Sequence, residues 1–217
     1  MKGSCIKMDN LTYRELTKKD YERVKELICD AFRFDEFIKD KKFLDSILTI
    51  YLHGCLLDSS FSKVAEKDNK VIGVILGSSK KDKNCFNKSH SILLTASAVF
   101  KLFISSKENK KLLKEFFKIQ DTYKEIIQGK KDSFQGCVEL FIVSEESRGL
   151  GVGKTLINYL SNYMKSMEVE SMYLYTDTRC NYGFYDSQNF KRLNEKEIYF
   201  DSIQEKLNIF LYAYDFN

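Results

Sequence analysis

The chain has 217 residues, of which 43% are hydrophobic and 30% charged, and its formal net charge is +4. This is the composition of an ordinary folded protein, and no apolar run reaches the roughly 18 residues that a membrane span requires. Length and composition therefore exclude disordered and transmembrane proteins and predict one enlarged domain over residues 1–217.

Cysteine and histidine usage restricts the chemistry further. The six cysteines are scattered without a CxxC pair, and His53 and His90 are the only histidines. This spacing predicts neither a disulfide framework nor a zinc site. The first ten residues also lack the apolar segment of a secretory signal. We therefore expect a cytoplasmic protein with reduced thiols and no metal.

The N-terminal third predicts a strand, two helices and a hairpin. Residues 11–16 suit a strand, and apolar positions recurring every three or four residues after Thr17 predict a helix. A second helix is expected over residues 36–53. The apolar runs 62–66 and 71–76 flank a turn-forming cluster, which indicates an antiparallel hairpin.

Residues 80–135 interrupt this pattern and predict a helical hairpin inserted between the third and fourth strands. Residues 80–131 carry a net charge of +8, whereas the rest of the chain carries −4. A solvated lysine face explains this asymmetry, and an anionic partner is the alternative. We expect the lysines to point outward and the apolar positions to pack on the domain. Those positions are Ile92, Leu93, Ala96, Val99, Phe100 and Phe103 in one helix, and Leu112, Phe116, Ile119, Tyr123 and Ile127 in the other.

The C-terminal part begins with a nearly continuous apolar run, residues 137–143, which indicates a central strand. A glycine-rich segment follows, and an amphipathic helix is expected from Gly151 onward. The remaining predicted elements are a strand over 172–176, a short helix over 181–188, and strands over 196–200 and 207–214.

The glycine-rich segment, Arg148-Gly-Leu-Gly-Val-Gly-Lys154, joins a strand to a helix, where free amides and the positive helix end favour an anion such as phosphate. A Walker A loop would need glycine in place of Arg148, and a dinucleotide loop would need glycine in place of Lys154. Neither nucleotide pattern fits. A strand-to-helix turn without a ligand is the remaining alternative.

The pattern Arg148-Gly-x-Gly-x-Gly153 resembles that of the GNAT N-acetyltransferase superfamily. The segment from Asn181 to Phe190 is similar to the family's N-x-x-x-F-Y-x-x-x-G-F motif, with Asn189 in place of the usual glycine. Glu145 is a second departure, because the family often has proline there. The resemblance covers residues 137–215 and, more loosely, residues 11–79, and it leaves 80–135 outside.

The resemblance implies an α/β fold with a mixed sheet flanked by helices, and acetyl-CoA as cosubstrate. Its pantetheine arm would pair with the backbone of Phe141, Ile142 and Val143. Asn181 would also bind pantetheine, unless it only caps the following helix. The pyrophosphate would be held by the loop, comprising Arg148, Gly149, Leu150, Gly151, Val152, Gly153 and Lys154.

The resemblance also implies transfer of the acetyl group to a primary amine of a small molecule or peptide. Tyr185 would protonate the departing thiolate, unless it only fills space between helix and sheet. A backbone amide near Ile142 or Val143 would stabilise the oxyanion. Simple strand alternation places Glu139 on the face of Phe141 and Val143, where it could act as base; a surface or salt-bridged glutamate is the alternative.

Two other functions are compatible with some of these sequence features. A non-catalytic acyl-CoA sensor would retain the glycine loop without needing Tyr185. A nucleic-acid or ribosome-associated protein would use the basic insertion, with exposed aromatic residues beside the lysines. Phe116, Phe117 and Tyr123 align with the apolar stripe instead, so we expect them to be buried. The sequence is compatible with either a monomer or a homodimer.

Overall fold

The computed structural model describes residues 10–82, 88–103, 105–201 and 204–216, with only the backbone described for 88–90 and 103. Cys5, Cys85 and Ile104 lie outside these ranges. Over the described residues the strands are β1 (Leu11–Arg14), β2 (Phe61–Lys67), β3 (Lys70–Ser79), β4 (Gly136–Val143), β5 (Ser171–Asp177), β6 (Lys191–Phe200) and β7 (Glu205–Asp215). The helices are α1 (Tyr21–Phe32), α2 (Phe34–Phe37), α3 (Lys41–Asp58), α4 (Lys88–Phe103), α5 (Lys107–Ile126), α6 (Val152–Ser166) and α7 (Gly183–Ser187).

The strands form one mixed sheet in the order β1-β2-β3-β4-β5-β7-β6. Strands β1 to β4 are antiparallel, β4 and β5 are parallel, and β7 pairs antiparallel with both β5 and β6. The predicted α/β fold with a mixed sheet is confirmed, and β4 occupies the predicted central position.

Helices cover both faces of the sheet. Buried residues of α1 and α3 pack with Leu140 and Ile142 of β4, and α5 packs on the same face over β6 and β7. Helix α6 packs on the opposite face with Val138 and the β5 residues Met172 and Leu174, and α7 joins it there. No described helix is long and apolar enough to cross a bilayer.

The prediction for α3 was wrong at both ends. The helix begins after Asp40, whose carboxylate accepts hydrogen bonds from the amides of Lys42 and Phe43, and this cap was overlooked. It continues through Gly54 to Asp58, because burial of Leu52 and Leu56 outweighs the helix-weakening effect of glycine.

The predicted hairpin and the two insertion helices are confirmed as β2–β3 and α4–α5. The expected packing of α4 is wrong, however, because Ile92, Leu93 and Phe100 are 55%, 68% and 66% exposed. Helix α4 turns a different face towards α3, on which Ser91, Ala98 and Leu102 are buried.

Strand β6 begins at Lys191 rather than at 196. It is an edge strand whose first five residues are all exposed, so no apolar alternation marks its start. A register shift in its pairing with β7 leaves Leu193 without an opposite residue, which further disrupts the pattern.

Candidate active site

Strands β4 and β5 pair only at their beginnings and then separate. Gly136 lies opposite Met172 and Cys137 opposite Tyr173, and no further pair joins the two strands within the described residues. The amide of Ser144 donates to the carbonyl of Ile72 in β3, at 2.8 Å. Because backbone groups alternate along a strand, the amide of Ile142 also faces β3, whereas those of Phe141 and Val143 face the gap.

A β-bulge changes the orientation of Glu139. Leu76 lies opposite Leu140 and Gly77 opposite Val138, so Glu139 is an extra residue in β4. Phe141 therefore packs on the α6 side with Val138. Glu139 instead neighbours Cys55 of α3, on the opposite side of the sheet. The expectation that Glu139 shares a face with Phe141 and Val143 is wrong, because simple alternation ignores the bulge.

Glu139 is partly buried where the two strands separate. Its Oε1 accepts a 2.6 Å hydrogen bond from the Ser78 hydroxyl. Burial raises the pKa of Glu139 above its ordinary value, and the Ser78 hydrogen bond offsets only part of this effect. Glu139 forms no ion pair with any described residue, so the sequence alternative of a salt-bridged glutamate finds no support.

The glycine loop opens α6. Gly149 and Gly151 have φ angles of 82° and 71°, which favour glycine, and a side chain at either position would meet no atom within 4 Å. Gly151 is the residue before α6, so the amides of the first helical turn, beginning with Val152, are not used within the helix. The Val152 side chain is buried in the core, so Val152 contributes only its backbone to the loop.

The polar residues expected around this loop are exposed. Arg148 forms a 2.7 Å ion pair with Glu145, the residue that replaces the usual proline. Lys154 borders a cleft of about 260 Å³ together with Asn158 and Gln188. The side chain of Asn181 makes no capping hydrogen bond to α7, so the alternative of a pure helix cap is not supported.

Tyr185 is buried between α7 and the sheet. Its ring contacts Phe141 of β4 and Tyr212 of β7, with centroid distances of 6.3 and 5.7 Å. Burial raises the pKa of Tyr185 well above its ordinary value, and the acids nearby, including Asp177, act in the same direction. The phenol is therefore fully protonated at neutral pH. Its hydroxyl makes no hydrogen bond to another described side chain.

The sequence reasoning missed a cluster on the α3/α5 side of the gap, which we call the acid–tyrosine cluster: Glu139, Asp177, Tyr51, Tyr123 and Tyr175. The rings of Tyr123 and Tyr175 stack at 4.1 Å, and Tyr175 donates to the Tyr123 carbonyl at 3.0 Å. Tyr51 has Tyr123 and Asp177 as electrostatic neighbours. The alternation of Tyr173, Tyr175 and Asp177 along β5 was a signal that could have revealed one side of this cluster.

The described side chains give little support to a cysteine nucleophile or to a metal site. Burial raises the pKa of Cys55 and Cys137, and that of Cys180 to about 12, so these thiols are protonated at neutral pH. No group of three or more potential metal ligands occurs within the part of the chain that is described.

Comparisons with known proteins place this geometry in a family. The model of the acetyltransferase (GNAT) family matches residues 21–190. No curated protein matches the sequence.

Solved structures have the same fold. An N-acetyltransferase from Staphylococcus aureus Mu50 is 14% identical, with a TM-score of 0.54 over 96% of this chain and 99% of that one. A ribosomal-protein-alanine N-acetyltransferase from Brucella melitensis is also 14% identical, with a TM-score of 0.54 over 94% and 99%. The putative acetyltransferase yncA from Salmonella typhimurium, solved with its cofactor acetyl-CoA, is 15% identical, with a TM-score of 0.52 over 95% and 94%. The chain belongs to the GNAT acetyltransferase family.

Proposed function

We propose that the protein transfers the acetyl group of acetyl-CoA directly to a primary amine of a small molecule or peptide. The observation that carries this proposal is the placement of Glu139 and Tyr185 on opposite sides of the sheet at the gap between β4 and β5. One group can accept a proton from the acceptor, and the other can donate a proton to the leaving group.

The backbone around the gap fits acetyl-CoA. The positive φ angles of Gly149 and Gly151 and the free amides at the start of α6 suit a pyrophosphate. The unpaired backbone groups of Phe141 and Val143 suit the amides of a pantetheine arm. Arg148 is the first residue of the loop, so its guanidinium can leave the ion pair with Glu145 and bind a phosphate oxygen instead.

Acetyl-CoA supplies a thioester whose C–S bond breaks as a C–N bond forms with the acceptor. Glu139 takes the proton of the attacking amine, directly or through water. The amide of Val143, which faces the gap, donates to the acetyl oxygen as negative charge develops. Tyr185 gives its proton to the departing thiolate and recovers one from solvent. The proposed roles of Phe141, Lys154 and Asn181 are to position the cosubstrate. The expected role of Ile142 in pairing with pantetheine does not hold, because its amide faces β3 and its side chain is buried in the core.

Transfer without a covalent enzyme intermediate is supported by the cysteines. A thiol must ionise to become a nucleophile, and burial opposes this at Cys55, Cys137 and Cys180. Reduced thiols are maintained in the cytoplasm, which also supplies acetyl-CoA, and we place the protein there.

The basic insertion gives little support to a nucleic-acid partner. Phe116 and Tyr123 pack towards the domain, as expected. Phe117 is 63% exposed, contrary to expectation, and Phe100 is 66% exposed, but these two rings lie on different helices and do not form a row of stacking platforms.

A panel of amine acceptors, with thiol release from acetyl-CoA as the readout, tests the proposed function. We expect transfer to at least one amine. Intact-mass analysis after incubation with acetyl-CoA alone should show no acetylated enzyme. An acetyl-cysteine that forms and then decays on addition of the acceptor would overturn the direct mechanism.

A further inference from the structure

The acid–tyrosine cluster lies where an acceptor would approach. The loop and α6 lie on one side of the sheet, and Glu139 faces the other side, beside α3 and α5. Tyr51, Tyr123 and Tyr175 pack against the core on one side, but each is only partly buried, so part of each ring remains accessible. The aromatic faces of such rings attract cations.

Neither of its two carboxylates forms an ion pair with a described residue, although Lys131 near Glu139 and Arg179 near Asp177 each lower the carboxyl's pKa to a lesser extent than burial raises it. Glu139 is bonded to the Ser78 hydroxyl, and one oxygen of Asp177 accepts from the Arg179 amide at 2.8 Å. The guanidinium of Arg179 instead forms an ion pair with Glu205 and stacks on Phe37 at 4.9 Å. Burial raises the pKa of both Glu139 and Asp177, which is the behaviour of carboxyl groups that a bound cation would stabilise as carboxylates.

Glu139 and Asp177 lie at different positions along the two separating strands. Cys137 lies opposite Tyr173, so Glu139 is two residues and Asp177 four residues beyond the paired position. With strands about 4.8 Å apart and a rise of about 3.3 Å per residue, their Cα atoms are separated by roughly 8 Å or more. Tyr175 is an electrostatic neighbour of Glu139, and Tyr51 and Tyr123 are electrostatic neighbours of Asp177, so the tyrosines connect the two carboxylates.

We infer that the acceptor is a linear amine with a second cationic group. The reacting amine lies at Glu139, the distant ammonium or guanidinium group at Asp177, and the alkyl chain between them on the tyrosine rings. This inference rests on the proposed function and names its substrate class. Lys110 and Lys114 of α5 are exposed and are not among the electrostatic neighbours of Glu139 or Asp177, whereas Lys131 is a weak neighbour of Glu139.

Three acceptors of nearly equal shape test the inference: cadaverine, hexylamine and aminocaproate, which end in an ammonium, a methyl and a carboxylate group. We expect kcat/KM for cadaverine to exceed that for hexylamine by about 10- to 100-fold, the effect of one charge-assisted contact. Aminocaproate should be the poorest of the three. The advantage of cadaverine should shrink with added salt.

The variant Asp177→Asn keeps an oxygen that can accept from the Arg179 amide but removes the charge. We expect the cadaverine-to-hexylamine ratio to fall to within about threefold of one. Glu197→Gln is the control, because Glu197 is an exposed carboxylate of β6 paired with Lys206, and its ratio should match that of the wild type. The wild-type comparison of the three acceptors remains decisive even if Asp177→Asn folds poorly.

The two proposals fail in different ways. Equal activity with cadaverine and hexylamine, or a preference for aminocaproate, would overturn the second-cation inference and leave acetyl transfer to amines intact. A loss of activity in Asp177→Asn that is equal for all acceptors would also overturn it, since that is the signature of a structural role. Calorimetry that detects no acetyl-CoA binding would overturn the proposed function and the inference together.

Discussion

The Ser78 hydroxyl donates a 2.6 Å hydrogen bond to Oε1 of Glu139 at the point where β4 leaves β5. Ser78 belongs to β3, so the neighbouring strand orients the carboxylate that the bulge in β4 turns towards α3. A hydrogen bond to the carboxylate stabilises its charged form. Ser78 thereby lowers the pKa of Glu139, whereas burial raises it.

Replacing Ser78 should therefore shift the pH dependence of catalysis. In Ser78→Ala the pKa of Glu139 rises further, so the acidic limb of the kcat/KM profile moves to higher pH. Ser166→Ala is the control, because the exposed Ser166 hydroxyl donates only to the Tyr163 carbonyl at the end of α6. An acidic limb that stays in place in Ser78→Ala would mean that another group is the base.

Glu139→Gln should reduce turnover by about 10²- to 10⁴-fold, the usual contribution of a positioned base. The same variant tests the raised pKa through stability. Below the pKa of an unfolded glutamate, about 4.3, both states are protonated. As the pH rises above it, the unfolded chain releases the proton first, so the wild type loses stability relative to Glu139→Gln.

Urea unfolding of both proteins between about pH 4 and pH 8 measures this difference. The comparison isolates Glu139 from other titrating groups, since these are shared by the two proteins. Its titratable neighbours include Cys55, Asp58, Lys131, Cys137, Tyr173 and Tyr175. A wild type that gains stability relative to the variant as the pH rises would show that the folded-state pKa is lowered instead.

Tyr185→Phe should separate proton transfer from binding. The ring keeps its contacts with Phe141 and Tyr212, so acetyl-CoA affinity and thermal stability should change little. Loss of the proton donor should lower kcat by about 10²- to 10⁴-fold. Calorimetry and steady-state kinetics on the same preparation measure both effects. Undiminished turnover would assign Tyr185 a packing role and leave water as the proton source.

The local parts of this fold could be predicted because adjacent residues determine them. The β2–β3 turn uses Asp68 and Asn69 with φ angles of 50° and 64°, a conformation that these residue types tolerate. The bulge at Glu139 could not be predicted, because it depends on how β3 and β4 pair. The orientation of α4 was misjudged for a similar reason: apolar residues occur on two of its faces, and contact with α3 selects the one containing Ala98.

The lysines of α5 are expected to be irrelevant to the acceptor. Lys110, Lys111 and Lys114 are exposed, as the sequence predicted, and the charge of an exposed side chain is screened by salt. Replacing all three with glutamine should leave the acceptor KM within about twofold of the wild type at low and high salt. A large, salt-dependent change in KM would place these lysines along the path of the acceptor.

The last prediction separates the anion-binding role of the glycine loop from its conformational role. Gly151 and Gly129 have φ angles of 71° and 75°, and a β-carbon at either position would meet no atom within 4 Å, so aspartate at either site imposes a similar backbone strain of about 1 kcal/mol. Gly129 follows α5, away from the loop. Both Gly151→Asp and Gly129→Asp should therefore lose a similar, small amount of stability in urea. Only Gly151→Asp places a carboxylate where the pyrophosphate would meet the amides of α6, so calorimetry should show acetyl-CoA binding lost in this variant and retained in Gly129→Asp. Equal affinity in the two variants would show that the loop is only a turn between β4 and α6.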